Sequence, residues 1–155
     1  PGLGVRAAGG GAEGEADHRP WCWRGVAAGI RCRRFRLTPG KPVLAARLGA
    51  LLVLGLPGNP VSAYVTALLF RPGALAKLEG RAMPNPWRQA RLAGPVRHKG
   101  DRPLLHPCRL ADGQLHPLPG KGSADLVTLA RADAFAWIEA PGQGPGAEVR
   151  YLTVV

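Results

Sequence analysis

The chain has 155 residues, of which 46% are hydrophobic and 20% charged, enough for one medium domain or two small ones and too apolar for global disorder. No apolar run approaches the length of a membrane span, no secretory signal is intact, and Cys22, Cys32 and Cys108 make neither an even framework nor a C-x-x-C pair. A membrane span, a disulfide scaffold and a zinc module are therefore set aside.

The formal charge of +11 favours small anions or polyanions. Arginine dominates it, since Lys41, Lys77, Lys99 and Lys121 are the only lysines among 21 basic residues. The densest cluster, Arg31, Arg33, Arg34 and Arg36, lacks the interleaved aromatics of a single-strand-binding platform. His18, His98, His106 and His116 have no metal-ligand spacing and are expected to be structural or exposed. Pro1 at the start and Met83 as the sole methionine lead to the expectation that the chain is a fragment, with a cytoplasmic location as the default.

Taken in order, residues 1–18 are rich in glycine and alanine, notably in Gly9-Gly10-Gly11-Ala12-Glu13-Gly14-Glu15-Ala16-Asp17, and read as a linker or frayed terminus. Trp21, Cys22, Trp23 and Cys32 lie in a segment without a clear period. Arg33 to Thr38 alternates and predicts a strand. Pro39-Gly40-Lys41-Pro42 is a stiff turn carrying one cation. Val43 to Arg47 and Ala50 to Leu54 predict a pair of strands about Leu48-Gly49. If they run antiparallel, Lys41 comes to the end of the sheet where the second strand finishes.

That strand runs into Gly55-Leu56-Pro57-Gly58-Asn59-Pro60-Val61-Ser62. Val61, Tyr64, Val65, Leu68 and Leu69 then form one apolar stripe of a helix. Asn59 is expected to cap it, Pro60 suits its first position, and Pro72 is expected to end it, with a further short helix from Ala74 to Leu78. A strand, a Pro/Gly loop and a helix start make an anion cradle: free N–H groups and the positive end of the helix dipole face outwards. Lys41 and the Ser62 hydroxyl would add a cation and a donor. A tight connection without a ligand reads equally from these residues.

Met83-Pro84-Asn85-Pro86 marks the predicted boundary between domains at 1–82 and 83–155. Beyond it come five expected strands: Gln89 to Val96, Leu104 to Leu110, Gln114 to Leu118, Ala134 to Ala140 and Glu148 to Val155. Asp112-Gly113 is a hairpin turn, and Ser123 is expected to cap one short helix with Asp125 in its first turn. The pattern predicts a small β-barrel or sandwich.

Gly9 to Asp17, Pro39-Gly40-Lys41-Pro42 and Gly55 to Ser62, taken together, resemble the MoeA/gephyrin family of molybdopterin molybdenumtransferases, through motifs similar to G-G-x-S-x-G-x-x-D, P-G-K-P and G-L-P-G-N-P-V-S. Gly120-Lys121-Gly122-Ser123 and Gly146-Ala147-Glu148-Val149 look like two further segments of it. The resemblance implies the second half of an α/β molybdopterin-binding domain followed by a small, mostly-β barrel domain. It implies insertion of molybdate into adenylylated molybdopterin with release of AMP, assisted by Mg²⁺, in a parent chain that forms a homodimer, with no nucleic acid and no membrane as partner.

Residue by residue, the resemblance implies that Asp17 sits near metal and molybdate and that Lys41 and Ser62 hold the oxyanion. Pro57, Gly58, Asn59 and Pro60 would shape the pocket, and Arg102 would be an anion ligand. Ala12 stands where the family has Ser, Leu105 where it has an aromatic, and Pro107 where it has a second Arg. Two other expectations stand beside this one: an inactive truncated fragment with a structural or association role, and a basic nucleic-acid-binding module.

Overall fold

The apolar run before Gly55 forms the strand its composition predicts, in the middle of a sheet. In a computed structural model of the chain, residues 5–9, 29–34, 37–39, 42–49, 51–120, 122 and 125–154 are described. They divide into two units, one ending at residue 84 and the other made of residues 37–39 and 85–154.

The first unit holds β1 (Val5–Gly9), β2 (Gly29–Arg34), β3 (Pro42–Leu48) and β4 (Leu51–Leu56), in the sheet order β1-β4-β3-β2. β3 and β4 pair antiparallel from Leu48↔Leu51 to Leu44↔Gly55, as their patterns predict. Gly49, at φ +58, supplies the left-handed conformation that a two-residue hairpin loop demands. β1 runs parallel to β4, so β4 has a neighbour on each side, and its Val53 and Leu54 are buried.

Two expectations are corrected here. Val5–Gly9, read as linker, is a strand, and Gly29–Arg34, in the stretch without a period, is another. Val5–Gly9 is rich in Gly and Ala and Gly29–Arg34 in Arg, so neither carries a strong strand signal of its own, and it is the hydrogen bonds offered by β4 and β3 that order them. The strand expected to continue to Thr38 ends at Arg34 instead, and Thr38 bridges to Leu104 within the second unit.

Helix α1 spans Pro60–Leu78 without a break, so Pro72 does not end it and the separate helix expected from Ala74 is its last turns. Proline's fixed φ is compatible with a helix, and its cost is one lost hydrogen bond and a kink. Val61, Val65 and Leu68 are buried before Pro72 and Ala76 after it, so the same apolar face carries the helix past the proline. The end comes at Gly80, at φ +67, where the Gly80 N–H donates to the Lys77 carbonyl and the Arg81 N–H to that of Ala76.

In the second unit β5 (Arg88–Leu92), β7 (Leu104–Ala111), β8 (Gln114–Pro117), β9 (Ala134–Ile138) and β11 (Glu148–Thr153) close a barrel in the order β11-β5-β8-β7-β9. β5 and β8 are parallel and the other neighbours antiparallel. The barrel, one of the two architectures the strand pattern allowed, is the one found. The expected strand from Gln89 to Val96 is split, because Gly94 and Pro95 break the ladder. β6 (Val96–Arg97) pairs instead with β10 (Gly142–Gln143) in a separate two-stranded sheet. Asp112 (φ 51) and Gly113 (φ 70) make the predicted turn between β7 and β8.

Leu92, Cys108, Leu115, Ala134, Ala136, Ile138, Val149 and Tyr151 fill the interior. The opposite face of the same strands is also apolar in places: Leu105, Phe135 and Leu152 are buried. Residues 37–39 lie beside the start of β7, where the Thr38 N–H donates to the Pro103 carbonyl at 2.9 Å and its carbonyl accepts from the Leu105 N–H at 2.7 Å. Helix α2 (Leu126–Arg131) is capped by Asp125 rather than opened by it, since the Asp125 carboxylate accepts from the Thr128 N–H at 3.0 Å and the Thr128 hydroxyl at 2.6 Å. The expected cap Ser123 lies outside the described residues.

Candidate functional site

β4 delivers the chain into Pro57, which is buried, and then Gly58, Asn59 and Pro60, which are exposed. Asn59 has an extended backbone (φ −71, ψ 131), and its carbonyl accepts the first helical bond from the Ala63 N–H at 2.8 Å. Its side chain makes no capping bond, contrary to expectation. The first-turn N–H groups of Val61 and Ser62 thus have no acceptor within the helix, and Pro60 has none to satisfy. The first turn of α1 carries no acidic residue of its own to oppose an anion at that end of the dipole. A Cβ placed on Gly58 would meet nothing within 4 Å, so the backbone here is open to an approaching group.

Ser62 is 5% exposed at the base of this cradle. One turn on, Thr66 is 1% exposed, and its hydroxyl has no hydrogen-bond partner. The helix thus buries two hydroxyls on a face that the apolar periodicity assigned to Val61, Val65 and Leu68. Thr66 went unnoticed in the sequence, although a threonine four residues after Ser62 on a buried stripe was the available signal.

Of the residues singled out from the sequence, Pro57, Gly58, Asn59, Pro60 and Ser62 share this one loop and helix start. Lys41 and Asp17 lie outside the described residues. Pro42, the residue after Lys41, begins β3, whose register with β4 pairs Leu44 with Gly55. Two residues further along each strand, that register brings Pro42 level with Pro57. Arg102 belongs to the second unit, in the turn between β6 and β7. Its guanidinium is 3.5 Å from the Asp101 carboxylate, and its carbonyl is bonded to the His98 ring. Among the described residues, no three His, Cys, Asp or Glu side chains are grouped so as to hold a metal ion.

Two titratable side chains lie on the inner face of the barrel. Burial pushes the Cys108 thiol up to about 12, against a backbone hydrogen bond to Ala136, and keeps it protonated and unreactive. His106, opposite Ala136, is held below its ordinary 6.5 by burial, while a hydrogen bond with the Leu118 backbone pulls the other way. The unfolded chain therefore takes up this proton first. The contribution of neutral His106 to stability is fully present above pH about 6.5 and declines as pH falls towards its lowered folded value. Thermal unfolding between pH 7 and 5 should show the decline, and His106→Gln should flatten it. An unchanged slope in that variant would assign the decline to other groups.

An α/β unit followed by a closed five-stranded barrel defines a two-part architecture, and three comparisons attach a family to it. Residues 89–154 match the MoeA C-terminal region, domain IV. The molybdopterin molybdenumtransferase of Nostoc sp. is 30% identical over 144 residues, covering 85% of this chain and 33% of the relative. The molybdenum cofactor synthesis protein cinnamon of Drosophila melanogaster is 51% identical over 41 residues, 26% of this chain and 7% of that protein. The crystal structure of a molybdopterin biosynthesis moeA protein from Pyrococcus horikosii superposes with a TM-score of 0.73 at 24% identity, over 96% of this chain and 36% of that one. A molybdenum cofactor biosynthesis protein from Pyrococcus furiosus does so with a TM-score of 0.65 at 23% identity, over 82% of this chain and 46% of that one.

The C-terminal region of this chain matches domain IV, and part of domain III, of the MoeA/gephyrin family of molybdopterin molybdenumtransferases. The chain spans about a third of the length of the Nostoc relative. No helix among the described residues is long and apolar enough to cross a membrane.

Proposed function

We propose that Gly55–Ser62 holds the molybdate oxyanion in a reaction that inserts molybdate into adenylylated molybdopterin and releases AMP, carried out by a longer homodimeric parent. The observation that carries this reading is the start of α1. Donors without helical acceptors, a first helical turn without an acidic residue and open space over Gly58 meet at the end of a buried strand.

A tetrahedral dianion asks for directed N–H groups, a hydroxyl and a cation. Backbone groups of Gly58 to Ser62 supply the first, Ser62 the second and Lys41, the residue before Pro42 in the sequence, the third. Arg102 is a further anion ligand for the substrate. Mg²⁺ enters this reading through Asp17 alone, and no step is routed through it. Nothing in the described geometry favours nucleic acid as the substrate.

Molybdate should raise the thermal midpoint of the parent, by an amount equivalent to about 2.7 kcal/mol at a hundred times Kd. Lys41→Ala should abolish that rise without lowering the midpoint of the free protein. An unchanged midpoint at millimolar molybdate, or an equal rise in the variant, would remove Lys41 and the loop from the reaction.

A further inference from the structure

The outer face of the barrel carries a cluster that the reading above does not use. Trp87 stands just before β5 and Trp137 on β9, with β11 and its Arg150 between them. The two indoles are 5.5 Å apart and nearly perpendicular, at 88°. The Arg150 guanidinium carbon lies 4.7 Å from the Trp87 ring centroid and 4.2 Å from that of Trp137. Each indole is held in turn: the Trp137 ring N–H donates to the Glu139 carboxylate at 2.6 Å, and the Trp87 backbone N–H donates to the Asn85 side-chain oxygen at 3.2 Å.

Arg150 is exposed and, among the described residues, takes part in no ion pair. Its planar guanidinium is thus fixed by packing on two rings, while N–H donors at its edge remain open to solvent. A pre-organised guanidinium loses little rotamer freedom on binding and matches the two oxygens of a carboxylate. Gln89 stands opposite Arg150 on β5, and Arg91 follows two residues along the same face. Arg150 and Arg91 are thus diagonal neighbours on adjacent strands, about 7–8 Å apart, close to the roughly 6.5–7 Å between alternate side chains along an extended peptide.

We propose that this face, centred on Arg150 and Arg91, is a docking surface for an extended acidic segment of a partner protein, with carboxylates at alternate residues. Charge complementarity favours that occupant over single-stranded nucleic acid, for two reasons. The indole faces on which bases would stack are taken by Arg150. Glu139 and Glu148 flank the two arginines, which is adverse to a continuous polyphosphate but leaves room for the neutral residues of a peptide. The surface is independent of the Gly55–Ser62 reading, and either can fail alone.

The test is fluorescence anisotropy of a labelled peptide alternating Glu and Thr, titrated with the intact chain at low salt. A peptide with Gln for Glu and an oligo-dT strand serve as comparisons. Saturable binding of the acidic peptide, weakened by salt, is expected. Arg150→Gln should weaken it by about tenfold, and Arg150→Lys by less, because lysine keeps the charge without the planar fork. Arg91→Gln lies outside the indole stack and should weaken binding severalfold with the thermal midpoint unchanged, which separates recognition from loss of fold. No saturable binding, equal binding by the arginine variants, or tighter binding of oligo-dT would overturn the proposal.

Discussion

Gly142→Ala should destabilise the barrel unit by about 2–5 kcal/mol, the combined range for a strained backbone and a forced overlap. Gly142 holds φ +129, which side-chain-bearing residues rarely adopt. A Cβ there would run into the Val96 carbonyl oxygen and come within 3.1 Å of the Arg97 Cα and the His98 nitrogen. All three are backbone atoms of β6 and its continuation, so no side-chain rotation relieves the overlap. The β6–β10 pairing and the His98 N–H bond to the Pro141 carbonyl should open first. Amide exchange at His98 accelerated well beyond that at Leu105 would locate the effect, and a thermal midpoint within a degree of the parent would contradict it.

Phe135→Ala should cost about 3–5 kcal/mol, a large part of the stability of a domain this size. Phe135 is fully buried, yet it lies on the face of β9 opposite the interior residues Ala134 and Ala136. It pairs across to Leu152 on β11 and to Pro107 on β7, so its removal leaves a cavity outside the barrel wall. Phe135→Leu retains most of the volume and should cost about 1 kcal/mol. Denaturant unfolding of the pair decides the point: equal small losses in both would mean that the site collapses without a cavity.

The contrast between these positions shows how far residue patterns reach. Alternation in 134–138 is legible as a strand, and it puts Ala136 and Ile138 on one face. That Phe135 on the other face is equally buried is not legible, because it depends on Leu105 of β7 and Leu152 of β11 being brought to the same side of a closed barrel. Pro72 misled for a related reason. Its local effect is to weaken a helix, while the burial that carries α1 on to Ala76 comes from elsewhere in the fold. Asn59 was expected to cap through its side chain because composition favours it, whereas the structure uses only its carbonyl in the first helical bond.

By itself the sequence determined the elements whose signals are local: the β3–β4 hairpin about Gly49, the Asp112-Gly113 turn, the Pro/Gly loop that opens α1, and the motifs that resemble those of the MoeA/gephyrin family. Each depends on backbone conformations or spacings within a few residues. Tertiary structure alone decided that Val5–Gly9 and Gly29–Arg34 became β1 and β2 and which strands closed the barrel. It also placed Ser62 and Thr66 on one buried face and Arg150 between Trp87 and Trp137. Those outcomes rest on hydrogen bonds and packing between residues far apart in the chain, which no local pattern encodes.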